Sequence, residues 1–246
     1  LLLKPLPYEE PGGLAVVLTR YLPESGFDIP RFPLSGPELL DLKEEAEVFQ
    51  EIGPFLTGGS RALTGDGEEA VRVPVAFVSD EVLAMLGVPP TLGRWFTPGE
   101  DVPDGPAVTL LSHELWASRF GADPGLVGRT ILMNGEATEV VGVMPRGFAF
   151  GDAQAWLPVG LDRSNQGGRA SHAYSALARL APGRSHADVE AALAVIRERW
   201  AAEHEHNRAH FAIAEPLEEA VLADAPRTLG LLLGAVGLVL LVACVN

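Results

Sequence analysis

Hydrophobic and polar positions alternate along this chain in a pattern that switches between strand and helix periods. Leu14 to Arg20 is a short β-rich run. Ser35, with Glu38 three residues later, has the form of a capping box ahead of Leu39, Leu42, Ala46, Phe49 and Ile52, which share one helical face. The pattern therefore predicts a strand feeding a helix that continues through Ile52. Val71, Val73, Val75 and Phe77 alternate with Arg72, Pro74 and Ala76, the period of a strand with one buried face. Pro74 predicts an edge position for that strand, because proline cannot donate to a ladder. Ser79 to Glu81 start a short helix through Val82, Leu83 and Leu86, and Gly87 stops it.

From Thr91 the texture changes to turns and short strands. Phe96 to Pro106 is an acidic, Pro- and Gly-rich loop, and Ala107 to Leu111 is a strand running into Ser112. That serine occupies an N-cap position before Leu115, Trp116 and Phe120, and Gly121 closes the helix. Thr130 to Met133 and Ala137 to Val143 flank Asn134-Gly135, a pair that accepts the positive φ angles of a type I′ turn and so predicts a β-hairpin. Asp162 to Arg169 is a polar, Gly-rich stretch that reads as a return linker. Tyr174, Ala176, Ala178 and Leu180 then alternate along a strand. Ser185 and Asp188 cap a long helix with Val189, Leu193, Ile196 and Trp200 on one stripe, and Phe211 and Ile213 mark a further strand. Two strand-helix-strand sections flanking a middle section predict an α+β fold, a layer of helices on a sheet with residues 91–169 inserted into it.

The final stretch, Leu229 to Val245, is uncharged and apolar around its whole circumference. A membrane crossing takes about 17–25 such residues, so this run reads as the front of a transmembrane helix, in contact with membrane lipid. At the other end, LLLKPLPYEEP reads as the close of a preceding membrane segment, residues 1–4, followed by a Pro-rich exit. Both readings describe a section of a larger membrane protein, with residues 5–226 outside the membrane.

Eighteen basic against thirty-three acidic residues give a formal charge of -15, which argues against a nucleic-acid partner. The single Cys244 lies in the apolar run, so no intrachain disulfide forms. No G-x-x-x-x-G-K-[ST] phosphate loop occurs, and the glycines from Gly121 to Gly128 lack the lysine that reaches phosphate. His204, His206 and His210 invite a metal site, since His206 and His210 share a face if the helix continues. No completing ligand is evident in the sequence, and histidines also suit a helix C-terminus. Ser112-His113-Glu114 cannot form a triad from adjacent positions, and its serine is better explained as a cap. The Asp101 and Asp104 loop lacks the alternating ligand series of a calcium loop. Trp95, Trp116, Trp156 and Trp200 read as core, as do Phe148 and Phe150 in preference to an interface. No catalytic, cofactor-binding or metal-binding residue is assigned, and no cofactor.

Five segments in one order carry a family resemblance: LLLKPLPYEEP, GRWFTPGED from Gly93 to Asp101, the run from Val108 to Phe150, ARLAPGRSHADVEAAL from Ala178 to Leu193, and LLLGAVGLVLLVACVN. Together they resemble the periplasmic core domain of MacB/FtsX-type ABC transporter permeases, with the closest likeness to the acidobacterial duplicated orphan permeases. The resemblance implies a porter-like lobe from residues 5–90 and 170–226, an inserted, mostly β sabre-like lobe at 91–169, and a truncated transmembrane helix at 229–246. It implies placement in the bacterial inner membrane with most of the chain on the periplasmic side. It also implies a non-catalytic permease component that couples a separate cytoplasmic ABC ATPase to export or mechanotransmission. Its implied partners are that ATPase, a second permease copy or duplicated half, and a periplasmic adaptor or cell-envelope protein. The alternative reading is a membrane-anchored scaffold that recruits and regulates an extracytoplasmic enzyme without moving substrate.

Overall fold

A computed structural model describes residues 8–64 and 69–223. The apolar run at 229–245 and residues 1–4 lie outside them, and among the described residues no helix is long and apolar enough to cross a membrane. In chain order the elements are β1 (Leu14–Tyr21), β2 (Leu34–Ser35), α1 (Gly36–Glu45), β3 (Phe49–Thr64), β4 (Val71–Val78), α2 (Asp80–Leu86), β5 (Leu92–Gly93) and β6 (Val108–Leu111). There follow α3 (His113–Phe120), β7 (Thr130–Met133), β8 (Glu136–Val143), β9 (Ala155–Pro158), β10 (His172–Leu180), α4 (His186–Glu203), β11 (His210–Pro216) and α5 (Leu217–Ala223).

The strands join in one mixed sheet, ordered β11-β1-β10-β3-β4-β9-β6-β8-β5, with β2 on β10 and β7 bridging β3 and β8. Neighbours among its first four strands are antiparallel, and the four come from two β-α-β passes, β1-α1-β3 and β10-α4-β11, interleaved so that β1 and β10 are neighbours. This is the split βαβ arrangement of ferredoxin-like folds. Both crossover helices cover the same face. Leu39 and Leu42 of α1, with Val189, Leu193, Ile196 and Trp200 of α4, pack on Ala15, Val17, Ala176 and Ala178 of the strands. The small strand side chains let the helices sit close. The other face carries α2 and α5, whose Leu83, Leu86 and Leu217 meet Val16, Leu18 and Leu177.

Local chemistry explains most boundaries. Ser35 and Glu38 form the predicted capping box on α1, and Ser185 and Asp188 form a second on α4. Ser79 and Ser112 cap α2 and α3. Asn134 and Gly135 take φ of 53° and 81°, as the β7-β8 hairpin requires.

Three expectations need correction. The first helix stops at Glu45, and Phe49 and Ile52 lie on β3. Their three-residue spacing imitates a helical face, but both are buried from a strand that packs under α1 and α4. β4 is interior rather than an edge, lying between β3 and β9. The carbonyl of Pro74 accepts from Gln154 N, so the missing N–H of Pro74 faces the β9 side, one position before that strand begins at Ala155 opposite Val75. No ladder bond is lost there. Finally, residues 162–169 do more than link: Arg163 pairs with Asp41 and Glu44 of α1 at 2.8 Å each, and Arg169 pairs with Asp41.

That loop lies directly on the start of α1. A Cβ at Gly36 would stand 2.2 Å from the Gln166 carbonyl oxygen, a backbone atom that cannot rotate away. Helix propensity alone favours Gly36→Ala by about 0.5–1 kcal/mol. The clash reverses the sign, so we expect Gly36→Ala to lower stability by about 1–3 kcal/mol, measured as a lower urea midpoint with an unchanged m-value.

Candidate functional site

The structure separates the three histidines of the H-x-H-x3-H segment. His204 ends α4 in an extended conformation, His206 sits in a 3-10 turn (Glu205–Arg208), and His210 is the first residue of β11 and buried. The helix does not continue through them, so His206 and His210 do not share a helical face. Ser112 accepts the Leu115 amide at 3.1 Å, as expected of a cap. Trp156 and Trp200 are buried, while Trp95 and Trp116 are half-buried and donate to the Val88 and Asp123 carbonyls. Phe148 packs edge-on to Trp156 and Phe150 to Phe55, which places both in the core.

His210 instead meets Glu38, the N3 residue of the α1 capping box, whose side chain is only 1% exposed. Glu38 Oε1 accepts from His210 Nε2 at 2.7 Å and from Asn207 Nδ2. Because a carboxylate only accepts, Nε2 of His210 carries the proton. Glu38 Oε2 accepts from the Ser35 amide at 2.9 Å and its hydroxyl at 2.8 Å. His172, whose Nδ1 lies 3.9 Å from Oε2, donates that nitrogen's proton to the Pro33 carbonyl at 2.8 Å and packs edge-on to His210. Asn207 in turn accepts from Arg169, which also lies over Trp200 and pairs with Asp41. Burial works to raise the Glu38 carboxyl, but the hydrogen bonds from His210 and from Ser35 outweigh it and hold the group down at about 2.

Glu38, His172 and His210 stand close enough to share a cation. Their ligand atoms are already committed: both Glu38 oxygens accept hydrogen bonds, and the facing His172 and His210 nitrogens are donors. The arrangement suits a structural clamp rather than a metal ligand set. The sequence disclosed the cap but not the partners, because His172, Asn207 and His210 reach Glu38 only through the tertiary fold.

A second acidic group gathers where α2 begins. Asp101 Oδ1 accepts from Gly160 N at 2.6 Å and Oδ2 from Asp80 N at 3.2 Å, tying the 97–106 loop to α2 and to the end of β9. Glu81 is paired with Lys43 at 2.5 Å. Asp80 has burial and the nearby Glu81 and Asp101 against its charge, which push its carboxyl up from 3.8 to about 6. Asp101 thus acts as a brace, and Asp104 stands in a left-handed turn beside it.

The third feature is a cavity of about 340 Å³ beside the points where the described chain enters and leaves. Its lining includes Tyr8, the α5 residues Leu217 and Ala220, Phe55 and Phe150, and Val16 and Leu18 of β1.

Two of these features titrate in opposite senses. Glu38 has a depressed folded-state value, so its stabilisation is present above about 4.5 and is lost as pH falls toward about 2. We expect Glu38→Gln to cost about 3–5 kcal/mol at neutral pH and to flatten the acid limb of a urea stability profile, since it breaks a buried charged cluster. Asp80 has a raised value, so stability falls as pH rises from 3.8 to about 6. Asp80→Asn should therefore be more stable than the parent at pH 7 and indistinguishable from it near pH 4, by thermal melts at both pH values.

A family model described as the MacB-like periplasmic core domain matches residues 7–196. No curated protein matches the chain. Among solved structures, a domain of a permease protein from Porphyromonas gingivalis superposes with a TM-score of 0.64 at 18% identity, covering 85% of this chain and 93% of that one. The periplasmic region of MacB from Actinobacillus actinomycetemcomitans gives 0.62 at 14% identity, with 92% and 99% covered. The extracellular domain of the noncanonic ABC-type transporter YknZ from Gram-positive bacteria gives 0.59 at 13% identity, with 81% and 99% covered. The overall fold is thus shared with these domains, and the family match over most of the sequence places this chain in the MacB-like periplasmic core domain family of ABC transporter permeases.

Proposed function

We propose that this chain is the extracytoplasmic part of an inner-membrane permease that couples the motion of a separate cytoplasmic ABC ATPase to export or to mechanical work outside the membrane. In this reading residues 5–90 and 170–226 form the porter-like lobe and residues 91–169 the sabre-like lobe. The observation that carries it is the pairing of the first and last strands. β1 and β11 run antiparallel in register from Ala15 opposite Pro216 to Tyr21 opposite His210. A domain inserted between two spanning segments must return its chain to the place where it left, and this pairing does so.

Further ties fasten the entry. Tyr8 donates to the Ala149 carbonyl at 2.8 Å, and Arg179 on β10 reaches both the Glu9 carbonyl at 3.1 Å and the Met85 carbonyl at 2.7 Å. On the exit side α5 packs Leu217 and Ala220 into the core beneath β1. A displacement of either end is delivered to the same strand pair, and this is what a two-state transmitter requires.

The test is purification of the full-length protein from its native membrane in mild detergent, with ATP hydrolysis assayed with and without it. We expect a nucleotide-binding subunit to accompany it, with turnover that depends on it. Recovery of an extracytoplasmic enzyme in place of an ATPase would favour the scaffold reading. In a Cys244→Ser background, Val195→Cys, on the exposed side of α4, should react with a membrane-impermeant thiol reagent in cells permeable only at the outer membrane. Labelling only after lysis of the inner membrane would overturn the topology.

A further inference from the structure

In a chain with eighteen basic against thirty-three acidic residues, two guanidiniums that border one cavity and pair with no carboxylate carry information. Arg20 of β1 and Arg197 of α4 are such a pair, and neither forms an ion pair among the described residues. They line a trench of about 320 Å³ beside β11, within the size range of small-molecule sites. Arg197 crosses the strand edge to lie over Phe211, its guanidinium 4.1 Å from the ring centroid. The ring holds the guanidinium in place without engaging its in-plane N–H donors. Arg20 is the register partner of Phe211, so the second guanidinium stands on the same side of the sheet as that ring.

The far end of the trench has the opposite sign. Glu190 borders it two helical turns before Arg197 on α4, about 10 Å along the axis at 1.5 Å per residue. The other carboxylate on the lining, Glu215, is neutralised by Arg31 at 3.0 Å. Leu193, Ala194 and Ile213 give the interval an apolar surface. The trench is therefore positive at one end, negative at the other and apolar between.

We propose that this trench binds a short dipolar molecule with an apolar middle, its carboxylate at Arg20 and Arg197 and its ammonium at Glu190. A planar guanidinium matches a carboxylate with two parallel N–H to oxygen bonds, and an ammonium offers its donors to the Glu190 carboxylate. A span of about 10 Å is that of three extended residues at about 3.3–3.6 Å each, so a tripeptide with free ends and small apolar side chains is the simplest molecule that fits. A dicarboxylate of that length would set one charge against Glu190, and a diamine would set one against the guanidiniums, so the trench selects the dipole. Recognition is by side chains. It needs no main-chain ladder on β11, and Arg197, which covers the strand edge at Phe211, is itself one of the ligand-binding groups.

Binding in the trench does not require coupling to an ATPase, so it stands or fails independently of the transport reading. The full-length chain, purified in mild detergent, is dialysed to equilibrium against radiolabelled trialanine, with N-acetyl-trialanine and trialanine amide as competitors. Trialanine should bind about tenfold more tightly than either capped form, since each cap removes one charge-assisted contact. In Arg20→Gln and Arg197→Gln the amide should bind as well as the free carboxylate. In Glu190→Gln the acetylated form should bind as well as the free amine. Ala194→Trp, on the exposed side of α4, should fill the trench and remove binding of every form while leaving the melting temperature unchanged. Arg20 is exposed, so its variant carries the test should Arg197→Gln fail to fold. The proposal is overturned if trialanine at millimolar concentration does not bind, if the capped forms bind as tightly, or if the preference for free ends survives these substitutions.

Discussion

An ionised carboxylate taken out of water must find donors on every side, and Glu38 imposes that requirement on four separate stretches of chain. Ser35 supplies an amide and a hydroxyl, β11 supplies His210, the turn after α4 supplies Asn207, and the start of β10 brings His172 alongside. Removing any donor leaves a charge whose burial costs several kcal/mol, so these segments are held to one another far more strictly than apolar packing would demand. Arg169 extends the set to Asp41 and Trp200, which fixes α1, α4 and the 162–169 loop in one arrangement. The helical face of the sheet is specified by polar satisfaction and filled by apolar side chains.

Continuity of the sheet across its two halves depends on β3. Its first part pairs with β10 and, from Phe55 onward, it pairs with β4; a shift of register between Leu56 and Gly59, where Gly58 takes a φ of 80°, interrupts the β4 ladder just past the last residue paired with β10. A bulge of this kind bends a strand and increases its twist. One unbroken backbone thereby serves two differently oriented surfaces. The distal end of β3 then reaches the β7-β8 hairpin through Leu63 and Met133. Asp101 adds a polar brace between α2 and the end of β9.

Much of this was legible in the residues. Capping boxes and serine caps mark local hydrogen bonds made within three residues, the Asn-Gly turn is a property of two residues, and the α4 stripe of Val189, Leu193, Ile196 and Trp200 is buried as its spacing requires. What escaped depends on partners distant in sequence. β3 carries Gly53, Pro54, Gly58 and Gly59, residues that weaken a strand pattern, yet it is a strand because β10 and β4 flank it. Pro74 signals an edge only if its missing donor would have been needed, and the late start of β9 removes the need. The site was the least legible part. Glu38 appeared as a cap and His210 as a member of a histidine cluster, and nothing local to either indicates that they touch.

The register of β1 and β11 also decides how the domain responds to a pull. Ala15 lies opposite Pro216, so the chain enters and leaves at the same end of one antiparallel pair. Tension that draws both ends the same way carries the two strands together and loads the neighbouring β1-β10 ladder along its length, where many bonds resist at once. Tension that spreads the ends apart acts on the terminal bond of the β1-β11 ladder first, then on the next, like a zipper opened from its tab. A domain wired in this way is stiff toward common tilting of its two attachments and soft toward their separation, a mechanical anisotropy set by strand order alone.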